Sequence, residues 1–265
     1  MPLNKSDGNM YDWVTHTHSA LAGECPHQCT YCYVTAIAKR FKPVWARHSG
    51  PIRLLEAEMA RKYGTGRTIF IEHMSDLFAA CVPADLVEKI LAHCRAWPNT
   101  YVFQTKNPGR YTDFLGLLPE NSILGTTIET NRPTTGISTA PSPEERYLAM
   151  KGLKCRRFVT VEPILDFDPA VLAAWIADIR PDFLNIGADS KNRGLPEPSK
   201  AKIIDLLDRL QAAGIVVRKK RNLDRLMKGS GGQRPTRSVR QVPRIHMAQP
   251  LSASSAARHA MQPKP

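Results

Sequence analysis

The sequence predicts an α/β fold, a partial (β/α) barrel of about six to seven parallel strands followed by a basic C-terminal tail. Short runs rich in β-branched and aromatic residues alternate with longer helix-like stretches, which is typical of a parallel sheet with helices outside it. The strand runs are almost continuously apolar, as expected of strands buried on both faces, and this suits a barrel or a partial barrel. A doubly wound open sheet is the alternative. It is disfavoured because no GxGxxG follows a predicted strand and no GxxxxGK[ST] occurs.

The predicted elements follow one another in the order that such a sheet requires. Helix punctuation supports them, since Pro83 and Pro169 stand at helix starts and Gly214 follows a helix end. The strands are predicted at residues 13–18, 68–72, 100–104, 122–128, 157–161, 183–186 and 215–218. The helices are predicted at residues 35–40, 51–61, 84–96, 143–153, 169–179 and 199–213.

Length and composition point to one domain with metal or redox chemistry. A chain of 265 residues can bury a full core. No run of about 18 apolar residues occurs, and the N-terminal segment lacks the apolar stretch of a secretory signal, so we expect a cytoplasmic protein. Six cysteines in such a protein argue for metal or redox chemistry rather than a disulfide framework. Cys81, Cys94 and Cys155 lie in or beside helical or strand runs, where buried free cysteines are common.

The net charge of +13 is concentrated at the C-terminal end. From Arg218 onward, twelve Lys and Arg residues stand against one acidic residue, whereas the rest of the chain carries 25 basic and 23 acidic residues. Beyond Lys228 the sequence is rich in Gly, Pro, Ser, Gln and Arg and is predicted to be disordered. The chain therefore divides into a barrel domain at residues 1–228 and a tail at residues 229–265. Such a basic block is typical either of a solvated tail or of a nucleic-acid-binding arm.

Three cysteines lie within eight residues in the segment GECPHQCTYCY; they are Cys25, Cys29 and Cys32. Their thiols can converge on one small inorganic group, and a cubane iron–sulfur cluster normally takes four thiolates. The fourth cysteine is missing nearby, which would leave one iron open, as in a reactive rather than a closed structural metal site. The alternative is a structural zinc site completed by His27, His16 or His18. Zinc motifs usually pair two short knuckles, however, and no second CxxC occurs.

The spacing C-x3-C-x2-C, with the aromatic Tyr31 just before the last cysteine, resembles the signature of the radical S-adenosylmethionine (SAM) superfamily. The resemblance implies a 4Fe–4S cluster on the three cysteines, whose open iron chelates the amino and carboxylate groups of SAM. It implies that one electron from the reduced cluster cleaves SAM to methionine and a 5′-deoxyadenosyl radical. It also implies a partial barrel with the cysteine loop after its first strand, and it places Tyr31 near the adenine.

Polar residues follow the ends of the predicted strands, where parallel barrels place their reactive groups. After the second strand comes EHMSD, at the place where radical SAM enzymes have the motif that receives the SAM amino group. This chain lacks the usual Gly-Gly-Glu, so Ser75 and Asp76 are general candidates for that contact, with a helix N-cap as the alternative role. Lys106 follows the third strand. It is a candidate partner of the SAM carboxylate or a substrate anion, and otherwise a solvated loop lysine.

Two further strand ends carry carboxylates. Alternation along the fourth strand puts Thr127, Glu129 and Asn131 on one face. A carboxylate there suits a ribose diol, which matches the use that radical SAM enzymes make of this strand, so these residues are candidate SAM contacts. Glu162 closes the fifth strand at a comparable position and is a fourth candidate. A structural ion pair is the alternative role for either glutamate.

A closer resemblance is carried by four segments: YDWVTHTHSALAGECPHQCTYCY, MSDLF, FQTKNP and NIGADSK. They resemble an uncharacterised radical SAM family common in phages and their bacterial relatives. The resemblance covers roughly residues 10–226 and leaves the basic tail outside. It implies cluster and SAM use and says little about the substrate. If the chain is phage-encoded, it would act in the host cytoplasm.

The leading functional hypothesis joins this resemblance to the basic tail. Arms rich in Lys and Arg bind phosphate backbones without reading sequence. Phages also hypermodify DNA bases, and some thymidine pathways rearrange an amino acid attached to the base methylene by radical chemistry. We therefore expect a radical SAM isomerase or base-modifying enzyme that acts on a nucleobase in DNA, flipped out of a duplex where necessary.

Two alternatives remain open from the sequence. One is a radical SAM enzyme that acts on a small metabolite or peptide, and the other is a zinc-dependent nucleic-acid-binding module. If the chain is a radical SAM enzyme, we expect a monomer that receives its electron from a donor such as flavodoxin or ferredoxin, with no membrane partner.

Overall fold

A mostly parallel sheet of eight strands organises the computed structural model, which describes residues 3–6, 11–191 and 193–228. Its strands are β1 (Asn4–Lys5), β2 (His16–His18), β5 (Thr68–Ile71), β6 (Thr100–Thr105), β7 (Ser122–Thr127), β8 (Arg157–Val161), β9 (Phe183–Ile186) and β10 (Val217–Lys219). Between β2 and β5 a small antiparallel pair is formed by β3 (Leu21–Ala22) and β4 (Arg53–Leu54). In the main sheet every neighbour pair from β2 to β10 is parallel and follows chain order, and β1 pairs antiparallel with β2 at one edge.

Helices connect the successive strands. The crossovers use α4 (Ala84–Arg95), a 3-10 helix (Pro108–Leu117), α5 (Pro143–Gly152), α6 (Pro169–Ile179) and α7 (Lys200–Ala212). Shorter helices are α1 (Tyr33–Ala38), α2 (Lys42–Arg47), α3 (Glu56–Met59), a 3-10 turn (Arg221–Leu223) and α8 (Asp224–Met227). Among the described residues β1 and β10 are the two edges of the sheet, so the sheet is an open arc. The predicted α/β fold with a partial barrel is confirmed.

Alternate residues of each strand serve two different cores, because successive side chains in a strand point to opposite faces. On β8, Val159 and Val161 belong to the large core that also contains apolar residues of α4, α6 and α7. Phe158, from the same strand, belongs to a smaller core on the other face. The large core therefore joins the sheet to the helices, and the small core fills the inside of the arc.

The small core closes the amino-terminal part of the arc with aromatic rings. Trp13, from the segment before β2, packs edge-on against Phe158 and Phe183 at centroid separations of 5.7 and 5.1 Å. Gly125 on β7 makes room for this arrangement, since a Cβ atom there would lie 2.2 Å from the Phe158 ring. The carboxyl-terminal part of the inner face is polar instead, so the sites that follow lie at that end.

Most predicted elements are present, and the exceptions have local causes. Strands β8 and β9 and helix α6 have the predicted bounds, whereas the last strand begins two residues later than predicted. The predicted helix at residues 51–61 is wrong over most of its length: Arg53 and Leu54 pair with the strand Leu21–Ala22, and only Glu56–Met59 is helical. This pairing overrides the local helix pattern. The predicted tail, residues 229–265, lies outside the described residues.

None of the described helices is long and apolar enough to cross a membrane.

Candidate metal and cofactor site

The cysteine loop connects β3 to α1 at the carboxyl-terminal side of the sheet. Cys25, Cys29 and Cys32 are all free thiols and all partly exposed. The Cys32 amide donates to the Cys29 carbonyl oxygen at 3.0 Å, and Cys32 caps the start of α1. Gln28 has φ +43°, so the chain turns tightly between the first two cysteines. The cysteine loop thus follows the first parallel strand of the sheet, which is the position that the resemblance predicts for the cluster.

Asp76 anchors the cysteine loop to the ends of β5 and β6. Its Oδ2 accepts from Nε2 of His27 and from the backbone amide of Lys106, both at 2.8 Å, while Oδ1 accepts from the Phe78 amide at 3.0 Å. Burial alone would raise the pKa of Asp76, but the bonds from His27 and the amide of Lys106 lower it below its usual value. Asp76 is therefore an ionised carboxylate that fixes His27 between the first two cysteines.

A buried ion cluster holds the other side of the loop. Tyr31 donates its hydroxyl to Oε1 of Glu129, and Nζ of Lys106 contacts both Oε1 of Glu129 and, at 2.5 Å, the Tyr31 hydroxyl. Arg146, from α5, donates through Nη1 to Oε2 of Glu129 at 2.8 Å. Both Glu129 and Arg146 are fully buried. Burial opposes the charge of Glu129, but the two cations lower its pKa to about 2.

The loop before α5 supports the cysteines from a third side. Ser138 Oγ lies 3.2 Å from the thiol of Cys29 and donates to the carbonyl oxygen of His27 at 3.1 Å. The Thr30 amide donates to the carbonyl oxygen of Ile137 at 2.9 Å. When Cys29 is a thiolate, the Ser138 hydroxyl can donate to its sulfur in place of the His27 carbonyl oxygen, and hydrogen bonds to sulfur tune iron–sulfur clusters.

Arg193 supports the same loop from the connection between β9 and α7. Its guanidinium donates to the carbonyl oxygens of Thr30, at 2.6 Å, and of Cys32, at 3.3 Å. Its backbone amide in turn donates to the Asp189 carboxylate. The cysteine loop is thereby tied to the connections that follow β5, β6, β7 and β9.

Glu162 lies with different partners, near the last strand. Its carboxylate accepts from Nζ of Lys220 at 2.7 Å and from the Asn222 amide at 2.9 Å. Gly187 leaves space for this group, since a Cβ atom there would lie 2.8 Å from Asn222 and 2.9 Å from Glu162. Next to it Tyr11 bridges two strands, with its hydroxyl 2.7 Å from Gln104 and 2.9 Å from Thr160.

The remaining predicted contacts are distributed unevenly. Thr127 is buried and accepts from the Gln104 amide at 2.9 Å, within the polar inner face. Ser75 is partly exposed, and its backbone amide donates to the Glu72 carbonyl oxygen at 3.1 Å. Asn131 points elsewhere: its side chain exchanges hydrogen bonds with Asp168 at 2.8 and 3.2 Å. The structure therefore groups Tyr31, Lys106 and Glu129, places Asp76 beside them, and puts Asn131 in a separate contact.

Glu72 is a buried carboxylate that the sequence analysis passed over. Its backbone has φ +57°, and its Oε1 accepts from the Ala20 and Leu21 amides at 2.5 and 3.0 Å. Its Oε2 is buried and has no hydrogen-bond partner among the described residues. Burial raises its pKa to about 7 despite the two amide bonds.

Sequence reasoning also missed Arg146, Ser138 and Arg193. Arg146 lies within PEERYLAM, which carries the charges of an exposed helix, yet its side chain is fully buried. Arg193 and Ser138 lie more than 100 positions beyond the cysteines, in connections without a recognisable motif. The only local signal was the concentration of polar residues after each strand.

The surroundings of the three thiols allow a test of whether they fit a metal cluster. Burial raises the pKa of Cys25 to about 12, and the negative charges of Asp76, Cys29 and Cys32 raise it too. A cationic metal group would remove this repulsion, and soft thiolates favour iron–sulfur clusters and zinc. Within residues 3–6, 11–191 and 193–228, no three His, Cys, Asp or Glu side chains are already arranged to hold a metal ion. The thiols therefore fit a cluster by their chemistry and accessibility, without being preset around one.

The same finding bears on the zinc alternative. His27, the histidine nearest in sequence, bonds to Asp76 through Nε2. Nδ1 of His18 lies 2.7 Å from the Tyr63 hydroxyl, and Nδ1 of His16 lies 2.9 Å from the Thr15 hydroxyl. In the described part of the chain none of these histidines forms a metal-holding group with two cysteines.

Residues 9–178 match a protein family described as a protein of unknown function, DUF5131. The chain belongs to this family. The DUF5131 match covers the cysteine loop, the ion cluster around Glu129 and Glu162, and it ends within α6. No curated protein sequence matches the chain.

Solved structures resemble the DUF5131 chain at low sequence identity. A spore photoproduct lyase C140A mutant with dinucleoside spore photoproduct has a TM-score of 0.51 and 13% identity, over 79% of this chain and 63% of the lyase. Streptococcus suis SuiB bound to S-adenosylmethionine has a TM-score of 0.46 and 10% identity, over 77% of this chain and 46% of SuiB. SuiB bound to precursor peptide SuiA has a TM-score of 0.49 and 10% identity, over 80% of this chain and 50% of SuiB. The chain thus spans less than two thirds of the length of each, and the likeness to the lyase supports the fold.

Proposed function

We propose that this protein is a radical SAM enzyme whose cluster is held by Cys25, Cys29 and Cys32. The observation that carries the proposal is the cysteine loop itself: three free, partly exposed thiols follow the first parallel strand and are anchored to four other strand connections. A 4Fe–4S cluster with bound SAM would supply a 5′-deoxyadenosyl radical after one-electron reduction. The protein's part is to hold the cofactors and the substrate in place and to exclude water.

The residues around the loop have distinct proposed roles. Asp76 holds His27, and Glu129 holds Tyr31, so both carboxylates position the loop in addition to any direct contact with SAM. The ammonium group of Lys106 is the proposed partner of the SAM carboxylate, and the Ser75 hydroxyl is the proposed partner of its amino group. Thr127, Glu162 and Asn131 remain proposed contacts of SAM, with Asn131 requiring release from Asp168.

For the substrate we propose a nucleobase in DNA, modified or isomerised by hydrogen abstraction, as in the rearrangement of an amino-acid adduct on thymidine. The basic segment from Arg218 onward supports this, since it suits a phosphate backbone. The similarity in fold to a spore photoproduct lyase with a dinucleoside spore photoproduct is consistent with it. The enzyme would draw its electron from a flavodoxin or ferredoxin and act as a monomer.

The decisive experiment is anaerobic reconstitution with iron and sulfide, followed by measurement of dithionite-dependent 5′-deoxyadenosine. We expect 5′-deoxyadenosine from the wild type and none from Cys29→Ala. Cys81→Ala is the matched control, because Cys81 is an exposed cysteine outside the loop, and it should behave as the wild type. One zinc per chain, with no iron and no 5′-deoxyadenosine, would overturn the proposal in favour of a zinc-binding module.

The substrate class needs a second measurement. The reconstituted enzyme is incubated with phage-type modified DNA, with free nucleosides and with small metabolites and peptides, and 5′-deoxyadenosine formation is compared with the rate without substrate. Stimulation by DNA, with a mass change in a nucleoside after digestion, supports base modification. Stimulation only by a free metabolite or peptide would favour the alternative substrate class.

A further inference from the structure

A basic and aromatic surface lies directly after the cysteine loop. We call it the α2 patch, and it consists of Lys39, Arg40, Phe41, Lys42 and Trp45. The segment in which it lies, residues 25–55, contains five basic residues and no acidic residue. This local charge lies in the barrel domain, so it is independent of the basic tail.

The two aromatic side chains of the patch are exposed at the start of a short helix: Phe41 directly precedes α2, and Trp45 lies within it. Phe41 and Trp45 are each 57% exposed, and the Trp45 amide donates to the Phe41 carbonyl oxygen at 3.0 Å, one helical turn away. No residue of α2 is buried. The other large apolar side chains exposed in the described residues are aliphatic: Leu115, Leu148, Val171, Ile204 and Val216. Among the large hydrophobic side chains that the structure describes, the exposed aromatic rings are therefore those of this patch.

The cations of the patch are available for a ligand. The side chains of Lys39, Arg40 and Lys42 are exposed and make no hydrogen bond or ion pair with any described residue. The neighbouring arginines have structural partners instead. Arg53 donates to three backbone carbonyl groups, one near the end of α2 and two in the turn after it, and Arg47 donates to the carbonyl oxygen of Ser19. The unpaired charges thus lie around the exposed rings, and the paired ones fold the segment.

Backbone hydrogen bonds fix the patch to the cysteine loop. The Gly23 amide donates to the Arg47 carbonyl oxygen at 2.8 Å, and the Glu24 amide donates to the Gly50 carbonyl oxygen at 2.9 Å. On the other side, Cys32 caps α1, whose six residues rise about 9 Å before the patch begins. A ligand on the patch would therefore lie on the same scaffold as the cysteines.

We propose that the α2 patch binds a single-stranded nucleic acid, or an unpaired stretch of a duplex, with bases stacked on Phe41 and Trp45 and phosphates on Lys39, Arg40 and Lys42. Exposed aromatic rings among unpaired cations are the chemistry that binds single strands, because every base has a face that can stack. The charge of the patch excludes a basic partner. That the bound strand is also the substrate rests on the proposed function, whereas binding of the strand to the patch requires no cluster.

The test is fluorescence anisotropy of the full-length protein with a labelled single-stranded thymidine oligonucleotide and with its duplex. Binding to the single strand should weaken about tenfold to a hundredfold in the double variant Phe41→Ala/Trp45→Ala. Leu148→Ala is the matched control, because Leu148 is an exposed apolar helix residue elsewhere, 55% exposed, and it should bind as the wild type. Circular dichroism checks that each variant is folded. Equal affinity of the double variant and the control would overturn the proposal.

Salt dependence tests the cations separately. Replacing Lys39, Arg40 and Lys42 by alanine should reduce the slope of log affinity against log salt by about 2. An unchanged slope would mean that phosphates do not contact them. Binding to anionic vesicles or self-association through Trp45, in place of oligonucleotide binding, would also overturn the proposal. Cys29→Ala separates this inference from the proposed function. If the variant binds the strand but forms no 5′-deoxyadenosine, binding by the α2 patch does not depend on the cluster. If the wild type binds the strand but forms no 5′-deoxyadenosine, the proposed enzyme activity is refuted and the binding proposal stands.

Discussion

Tyr31, between the second and third cysteines, donates its hydroxyl to the carboxylate of Glu129, a residue 98 positions later that is fully buried. Glu129 is also paired with Lys106 and Arg146. The carboxylate therefore connects the cysteine loop to the sheet and to α5. Its low pKa, about 2, results from these two cations, which outweigh the effect of burial.

Glu129→Gln should destabilise the protein by roughly 3 kcal/mol at pH 7, because it leaves the buried Arg146 without its counter-ion. Glu129 has a folded pKa lowered to about 2, so its contribution is present above its unfolded pKa and is lost as pH falls through the folded value. The difference between wild type and variant should therefore shrink as pH falls below about 4. Urea unfolding of both proteins at pH 7, 4.5 and 3.5 measures this difference in the free energy of unfolding. Glu144→Gln is the control, since Glu144 is an exposed glutamate of α5. A difference between wild type and Glu129→Gln that does not change with pH would contradict the assignment.

Arg193→Ala should loosen the cysteine loop while changing the free energy of unfolding by less than about 1 kcal/mol. The reason is that Arg193 contacts carbonyl groups of the loop and is itself only partly buried. Hydrogen exchange of the Thr30 and Cys32 amides should become about fivefold faster or more. Arg209→Ala, which removes an exposed ion pair with Asp205, provides the comparison. If the loop amides exchange equally in both variants, Arg193 does not hold the loop.

The fold was largely predictable because its strands are apolar runs punctuated by helix signals. The strand at residues 157–161 needs only its own β-branched and aromatic residues to be recognised. The pairing of Arg53 and Leu54 with the strand at Leu21–Ala22 was not predictable, because it depends on a partner about 30 positions away and on Gly23, whose φ is +108°. Local pattern carries no information about such a partner.

The candidate site was predictable in its cysteines and only partly in its surroundings. The spacing of Cys25, Cys29 and Cys32 is local, and the carboxylate at Glu129 follows from strand alternation. What Glu129 contacts is not local: Arg146 lies on a helix whose neighbouring residues are charged, and nothing in that pattern marks it as buried. Ion pairs across a sheet depend on the final packing. The sequence therefore identifies candidate site residues such as Glu129, but it does not identify the residues that pair with them.

Glu72→Gln should make the stability of the protein less sensitive to a rise in pH from about 5 to about 8. The folded pKa of Glu72 is raised to about 7 by burial, and Oε2 has no partner among the described residues, so the folded state favours the protonated carboxyl group. Stability should fall as pH rises from the unfolded pKa through the folded value, by roughly 3–4 kcal/mol in total. Urea unfolding at pH 5 and pH 8 should show a smaller loss in Glu72→Gln than in the wild type. An equal loss in the two proteins would show that another group is responsible.

Gly125→Ala tests the packing that closes the inner face of the sheet. A Cβ atom at Gly125 would lie 2.2 Å from the Phe158 ring, and that ring is packed against Trp13 and Phe183, so it has little room to move. We expect a loss of about 1–3 kcal/mol in the free energy of unfolding, the usual range for overpacking a core. Gly116→Ala is the matched control, because its Cβ would meet nothing within 4 Å, and it should leave stability nearly unchanged. Adding Phe158→Leu to Gly125→Ala should restore part of the loss by shortening the side chain. If Gly125→Ala is as stable as Gly116→Ala, the inner face is less closely packed than the contact between Gly125 and Phe158 implies.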